Sequence, residues 1–189
     1  MKRNIFDQRK KDVLEKKDKS FKKSWDKKIL KLCKKINSLK NYYTTSSCSG
    51  RVVLMINQDK KDRDLFINVY HDLISFERLK KDLKNIVKKN KKLIKFKLDP
   101  CALHVSCRTS EDAKELCNKA KLAGWKECGL ISFKNKIAEL KSTEKLEFPI
   151  IDKDKILVND EFLKIIVDES NKKLRKGWDK IEKLNNLLE

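Results

Sequence analysis

The spacing of the apolar residues changes along this chain, and that change constrains the fold more than any other feature of the sequence. Over residues 25–39 and again over 76–87, apolar side chains recur at the three- and four-residue spacing of an amphipathic helix. Over residues 94–98 and 103–107 the spacing falls to two, which indicates strands with one buried face. The chain therefore combines helices that pack through one stripe with strands that pack through one face.

The remaining stretches extend this pattern. Two further strands are expected at residues 52–56 and 65–70, and a helix with a capping sequence at its start is expected at 109–124. A hairpin is expected at 129–141 and a long last helix at 159–188. The chain has 189 residues and no linker rich in proline, glycine or serine, so we expect one domain over residues 1–189. The predicted fold class is α+β: a single domain with a mixed β-sheet, flanking helices and a long C-terminal helix.

The chain is strongly basic. Its 48 lysines and arginines outnumber 28 aspartates and glutamates, which gives a formal net charge of +20. A charge of this size favours a polyanionic partner such as nucleic acid, although a lysine-rich composition can also follow from codon usage or a hot habitat. Arg51 and Arg108 are more informative, because each stands in an uncharged stretch where a planar guanidinium can bind what a lysine cannot.

Hydropathy and cysteine usage exclude other classes of protein. No apolar run approaches the roughly 20 residues that a membrane-spanning helix requires, and no apolar core follows the first residues as in a signal peptide. We therefore expect a cytoplasmic protein with no membrane partner. The six cysteines lack C-x-x-C spacing and only two histidines are present, so we expect reduced thiols and no metal site.

The stretch NYYTTSSCSGR, residues 41–51, differs from the rest of the chain because it holds no charge before its final arginine. Its hydroxyl side chains can simply cap a helix and close a turn. However, it offers more hydroxyls than such caps require, a glycine that allows close approach to the backbone, and an arginine suited to a carboxylate or phosphate. We therefore favour a ligand site over a turn. The candidate residues are Ser46, Ser47, Cys48, Ser49, Gly50 and Arg51.

Two histidines are candidates for chemistry. His104 lies on the polar face of its predicted strand, which it shares with Ser106 and Arg108, and His71 follows the end of another predicted strand. A hydrogen-bonded structural histidine explains the position of His104 equally well on these grounds. A histidine can also form a thiol–imidazole pair with Cys48. The G-x-G-x-x-G and P-loop patterns are absent, so a Rossmann nucleotide fold lacks its usual support.

Several short motifs occur in a recognisable order along the chain. They are YYTTSSCSGR, VYHD, DPCALHVSCR and KST, preceded by DKSFKKSWDKKI and followed by ESNKKL in the last helix. In this order they resemble the wybutosine-synthesising tRNA methyltransferase family, the third enzyme of that pathway, in its archaeal form. The resemblance covers nearly the whole chain. One position departs from it, because Ser24 stands where the family usually has glycine.

The resemblance implies a fold other than the Rossmann fold and a specific reaction. Enzymes of this family transfer a methyl group from S-adenosyl-L-methionine to N-4 of the tricyclic wyosine-type base at position 37, in the anticodon loop of tRNA(Phe). The substrate base is 7-aminocarboxypropyl-demethylwyosine or a related demethylwyosine, and the hydroxyl-rich stretch would contact the cofactor or this base.

The resemblance also assigns roles to individual residues. His104 is the first candidate for the base that accepts a proton or for the group that orients the ring, with Arg108 beside it, and His71 is the second. Ser142 and Thr143 match the family's serine–threonine pair and would complete the pocket.

Two other functions stay open at this stage. A non-catalytic basic protein that binds tRNA or other RNA would share the charge but would not bind S-adenosylmethionine, so a cofactor titration separates it from a methyltransferase. A cysteine hydrolase would need Cys48 as its nucleophile, so a Cys48→Ser variant separates that hypothesis from the others.

Overall fold

The computed structural model describes residues 5–15, 26–58 and 65–188, and within them the chain forms five helices and nine strands. The helices are α1 (Ile5–Glu15), α2 (Leu30–Ser38), α3 (Phe76–Lys89), α4 (Ser110–Leu122) and α5 (Asp160–Leu187). The strands are β1 (Tyr42–Cys48), β2 (Arg51–Ile56), β3 (Phe66–Tyr70), β4 (Ile94–Asp99), β5 (Ala102–Cys107), β6 (Glu127–Ser132), β7 (Ile137–Lys141), β8 (Leu146–Asp152) and β9 (Lys155–Ile156). Ser24 and the predicted helix start at Trp25 lie outside the described residues.

Contacts between residues divide the chain into two compact units, each assembled from separate stretches. The first unit comprises residues 1–49, 101–143 and 178–189, and the second comprises residues 50–100 and 144–177. Helix α5 contributes its first part to the second unit and its last turns to the first. One domain spanning the whole chain stays a prediction.

The first unit is built on a four-stranded antiparallel sheet in the order β1-β5-β7-β6. One face of this sheet is apolar and forms the core with α2, α4 and the last turns of α5. Trp125 is fully buried in this core, and its indole N–H donates to the carbonyl of Lys180 over 3.1 Å. Helix α4 begins with a capping box between Thr109 and Asp112, as the sequence predicts.

The second unit is built on a five-stranded sheet in the order β3-β2-β4-β8-β9. Its strands alternate as period two requires: in β4, Ile94, Phe96 and Leu98 are buried. The loop before α3 is fixed to α5 because Asn171 accepts from the backbone N–H of Ile74 over 3.0 Å and donates to its carbonyl over 2.8 Å. This unit therefore has its own buried core and its own helix contacts.

The α+β class and the long C-terminal helix are confirmed, and Asn159 caps that helix by accepting from the N–H of Phe162 over 2.9 Å. The predicted mixed sheet is wrong, because the described strands form two sheets in which every pair is antiparallel. The physical reason is that period-two spacing shows that a strand has one buried face, but not which strand it pairs with or in which direction.

Candidate active site

A row of polar side chains crosses the sheet of the first unit. In the antiparallel register, Ser46 of β1 lies opposite His104 of β5, and His104 lies opposite Glu139 of β7. Residues opposite each other in adjacent strands point to the same face of a sheet. This face is turned away from the core, since the neighbours Leu103 and Val105 are buried in it. The hydroxyl-rich stretch and the histidine strand, far apart in the sequence, are therefore adjacent in the fold.

A β-bulge determines which hydroxyls reach this face. The hydroxyl-rich stretch is a strand rather than a turn, and its register with β5 shifts between Thr44 and Ser46. Thr45 is the extra residue, and its hydroxyl donates to the carbonyl of His104 over 3.3 Å. Strict alternation from the buried Thr44 would turn Ser46 toward the core, whereas the bulge turns it outward and Ser47 inward.

His104 and Glu139 form a hydrogen-bonded pair. Their Nε2 and Oε1 atoms lie 3.0 Å apart, and the two side chains are 34% and 36% exposed. A carboxylate can only accept a hydrogen bond, so in the neutral imidazole that makes this bond Nε2 carries the proton and Nδ1 keeps its lone pair. The pair thus fixes the ring and leaves Nδ1 able to accept a proton.

More candidates lie at the end of this sheet where β1 and β7 finish and β5 begins. Cys48 lies opposite Ala102, and the backbone N–H of Ser142 donates to the carbonyl of Cys101 over 3.1 Å. The side chain of Ser142 is fully buried, and its Oγ has no hydrogen-bond partner among the described residues. A buried hydroxyl left unpaired costs about 1–3 kcal/mol, which a polar ligand atom could offset. Thr143, the next residue, is exposed.

Two serines of the stretch are bonded inside the protein. Ser49 is buried, and both its backbone N–H and its hydroxyl donate to Oδ2 of Asp26, over 3.1 and 3.3 Å. Ser47 is hydrogen-bonded to the thiol of Cys33. Burial raises the pKa of this thiol to about 12, and the hydrogen bond from Ser47 opposes the rise. These contacts explain both serines without a ligand, and their role in binding stays a prediction.

Gly50 and Arg51 belong to the second unit. Gly50 has φ +94°, a left-handed conformation that other residues rarely adopt, which explains the glycine on backbone grounds alone. Arg51 opens β2, and its Nε donates to Oδ2 of Asp99 on β4 over 3.1 Å. Its guanidinium also lies 5.0 Å from the centre of the Phe66 ring. Binding of a carboxylate or phosphate by Arg51 stays a prediction.

His71 also belongs to the second unit, where it follows the last residue of the edge strand β3. Tyr70 lies opposite Val52, so His71 and Arg51 stand at the same end of this sheet. The structure therefore groups the predicted residues into two sets, one in each unit: His71 goes with Arg51, and His104 goes with Ser46.

Arg108 stands about 13 Å along β5 from the histidine, and its guanidinium is bonded within the protein. Nε donates to Oδ1 of Asn41 over 3.2 Å, and Nη2 donates to the carbonyl of Lys40 over 3.2 Å. Asp7 of α1 forms an ion pair with it, and the Phe6 ring centre lies 4.6 Å from it. Arg108 thus anchors α1 to the end of the strand, and ligand contact by this residue stays a prediction.

The part of the chain that the structure describes also bears on metal, membrane and thiol chemistry. There, no three histidine, cysteine, aspartate or glutamate side chains gather as metal ligands do. Nor is any helix in that part long and apolar enough to cross a membrane. All six cysteines are free thiols, which agrees with the expectation of reduced cysteines.

Comparison with known proteins decides the family. The family model described as Methyltransferase TYW3 matches residues 2–189. The chain belongs to the TYW3 methyltransferase family. A relative from Thermococcus sibiricus, named tRNA(Phe) 7-((3-amino-3-carboxypropyl)-4-demethylwyosine(37)-N(4))-methyltransferase, is 35% identical over 97% of this chain and 94% of its own length. A relative from Xenopus laevis, named tRNA wybutosine-synthesizing protein 3 homolog, is 32% identical over 99% of this chain and 76% of its own length.

Solved structures share the fold of this chain. A protein from Pyrococcus horikoshii OT3 superposes with a TM-score of 0.85 at 31% identity, covering 96% of this chain and 92% of that one. A protein from Aeropyrum pernix shares the fold with a TM-score of 0.67 at 23% identity, covering 84% of this chain and 96% of that one. The family model and the relatives confirm the family that the sequence motifs resemble, and the fold is not a Rossmann fold.

Glu139 is a residue of this candidate site that the sequence patterns did not single out. It stands between Ala138 and Leu140, both fully buried, so strand alternation alone places it on the polar face. Strand alternation thus shows that Glu139 faces away from the core, but it does not show which residue Glu139 contacts. The pairing of β7 with β5 brings its carboxylate to His104.

Proposed function

We propose that this protein is a tRNA methyltransferase that transfers a methyl group from S-adenosyl-L-methionine to N-4 of a wyosine-type tricyclic base at position 37 of tRNA(Phe). The observation that carries the proposal is the match to the TYW3 methyltransferase family over residues 2–189, together with the name of the Thermococcus sibiricus relative. The similarity extends over 94% of that relative's length, so it is not confined to one segment.

The first unit offers groups that fit the cofactor. S-adenosylmethionine carries a carboxylate, ribose hydroxyls and a purine, and when bound it supplies a methyl group already activated by a sulfonium. Ser46 presents an exposed hydroxyl, and Ser142 holds a buried hydroxyl without a partner among the described residues. These two serines would hold polar atoms of the cofactor or of the base. Cys48, beside them, is not needed as a nucleophile.

The work left to the protein is positioning and proton transfer. Correct placement of two reacting groups can lower a barrier by roughly 7–11 kcal/mol. As the N–C bond forms and the methyl–sulfur bond of the donor breaks to leave a thioether, Nδ1 of His104 would accept the proton that leaves N-4, which contributes about 10²–10⁴-fold to the rate. Glu139 holds the ring through Nε2 and stabilises the imidazolium that results. His104 is thus the residue assigned to the chemistry, and Glu139 positions it.

A tRNA substrate also needs a basic surface for its phosphates. Helix α3 provides one within the second unit, since Lys81, Lys84 and Lys88 are all exposed and follow each other at three- and four-residue spacing. This spacing puts them on one side of the helix, about 4.5–6 Å apart along its axis. These lysines would contact phosphates without reading sequence.

The test of the proposal is methyl transfer from labelled S-adenosylmethionine to tRNA(Phe) that already carries the tricyclic base. Unmodified tRNA(Phe) is the control, and we expect label in the modified tRNA only. A cofactor titration runs beside it. If the protein binds tRNA but neither binds the cofactor nor transfers label, it is a non-catalytic RNA-binding protein and the proposal is wrong.

A further inference from the structure

The hairpin between β6 and β7 exposes an aromatic ring that the proposed reaction does not use. Phe133 is 80% exposed, more than any other large hydrophobic side chain among the described residues, and Ile131 of the same hairpin is 54% exposed. The ring lies in the turn directly after Ser132, the last residue of β6. A single exposed apolar side chain is common on protein surfaces, but this hairpin exposes two of them, and an aromatic ring beside positive charges is suited to binding.

The surroundings of the ring are positively charged. Residues 128–138 contain no carboxylate, whereas Lys134 and Lys136 lie in the same turn as the ring. Arg9 of α1 reaches the turn as well, since its guanidinium donates to Oδ1 of Asn135 over 3.3 Å. The hairpin tip therefore combines one flat apolar surface with three cations.

The tip lies close to the candidate active site of the same unit. Ser132 and Ile137 close the hairpin, and Glu139 lies two residues further along β7. At about 3.3 Å per residue, Phe133 is roughly 10 Å along the strands from the row that contains His104. Bases of one strand stack about 3.4 Å apart, so the ring is within about three nucleotides of a base held at that row.

We propose that Phe133 is a stacking platform for an unpaired base of the tRNA substrate, close to the base that is methylated, with Lys134 and Lys136 near the adjoining phosphates. The inference rests on the proposed function. A nucleotide offers both a π-face and a negative charge, which match the ring and the lysines. A second copy of this chain would match the ring but not the charge, because two chains of net charge +20 repel each other.

The test compares three variants for their affinity to tRNA(Phe) carrying the tricyclic base, at one fixed salt concentration. Loss of a stacking ring weakens binding by about 5- to 150-fold, so we expect this loss in Phe133→Ala. Phe133→Trp keeps a stacking face and should bind as the wild type does or more tightly. Leu122→Ala is the matched control, because Leu122 of α4 is 78% exposed and should leave the affinity unchanged.

The outcomes distinguish this inference from the proposed function. If the wild type methylates the tRNA and Phe133→Ala binds it as tightly as the wild type does, the stacking role of Phe133 is refuted and the proposed methyltransferase function is supported. If the wild type neither binds nor methylates the tRNA, both are overturned. A wild-type dimer that Phe133→Ala dissociates, with no change in tRNA affinity, identifies a second copy as the occupant and also overturns the platform.

Discussion

Replacing Glu139 by glutamine tests whether this carboxylate positions His104 for proton transfer. The substitution keeps the shape of the side chain and an oxygen that can accept from Nε2, and it removes the charge. The hydrogen bond of 3.0 Å joins two side chains that are each about one-third exposed, so solvent screens the charge. We take its contribution as about 1 kcal/mol, which corresponds to about fivefold in rate.

The assay is single-turnover methylation of modified tRNA(Phe) by four proteins: wild type, Glu139→Gln, His104→Ala and the double variant. His104→Ala should lower the rate by about 10²–10⁴-fold and leave cofactor and tRNA affinity nearly unchanged, because its interaction is made mainly in the transition state. Glu139→Gln should slow the wild type but have no effect in the His104→Ala background, since it acts only through the imidazole. All rates are corrected for the folded fraction.

A control on the same sheet separates this effect from a general loss of negative charge. Glu127 of β6 lies opposite Lys141, with their charged atoms 3.7 Å apart, so Glu127→Gln also removes one surface carboxylate. It should leave the rate unchanged. Equal corrected rates for wild type and His104→Ala would remove His104 from the chemistry. An undiminished effect of Glu139→Gln in the His104→Ala background would refute the positioning role.

Three further predictions concern binding, the hydroxyl-rich stretch and the thiols. The double variant Lys84→Ala, Lys88→Ala should reduce the slope of log affinity for tRNA against log salt by about two, and an unchanged slope would show that α3 does not contact phosphates. The methylation rate of Cys48→Ala should stay within about threefold of the wild-type rate. The rate of Arg51→Ala should fall by at least about tenfold, because the substitution removes a charged hydrogen-bond partner. Abolished activity in a correctly folded Cys48→Ala would instead indicate covalent catalysis. Burial raises the pKa of Cys107 to about 12, so its thiol stays protonated at pH 8 and iodoacetamide should label it only after unfolding, while rapid labelling of the native protein would contradict this.

Local signals in the sequence predict local structure well in this chain. The capping box at Thr109, the left-handed Gly124 that follows α4 and the cap at Asn159 all occur where the sequence indicates them. Each depends on a few neighbouring residues, whose side chains satisfy the free N–H groups of a helix or relieve backbone strain. Such signals need no knowledge of the rest of the fold.

The strand formed by the hydroxyl-rich stretch could not be predicted in this way. Tyrosine and threonine favour strands, but the core side of β1 carries Thr44 and Ser47, so apolar alternation is absent. The structure supplies their partners from α2, where Asn37 bonds to Thr44 and Cys33 bonds to Ser47. Only the packed structure shows that these polar groups are satisfied, and so only there does the stretch become recognisable as a strand.

The candidate site depends on pairing between distant strands, and this explains why the motifs predict its members better than its geometry. The bulge at Thr45 turns Ser46 toward His104, and the pairing of β5 with β7 brings Glu139 to the same imidazole. Methyl transfer from an activated donor depends mainly on placement, so groups fixed on three neighbouring strands suit it better than groups on a mobile loop. We propose that the sheet does for this reaction what the backbone of a glycine-rich loop does in a Rossmann fold: it holds ligand-binding groups in a fixed position, and the proposed proton acceptor lies in the same row.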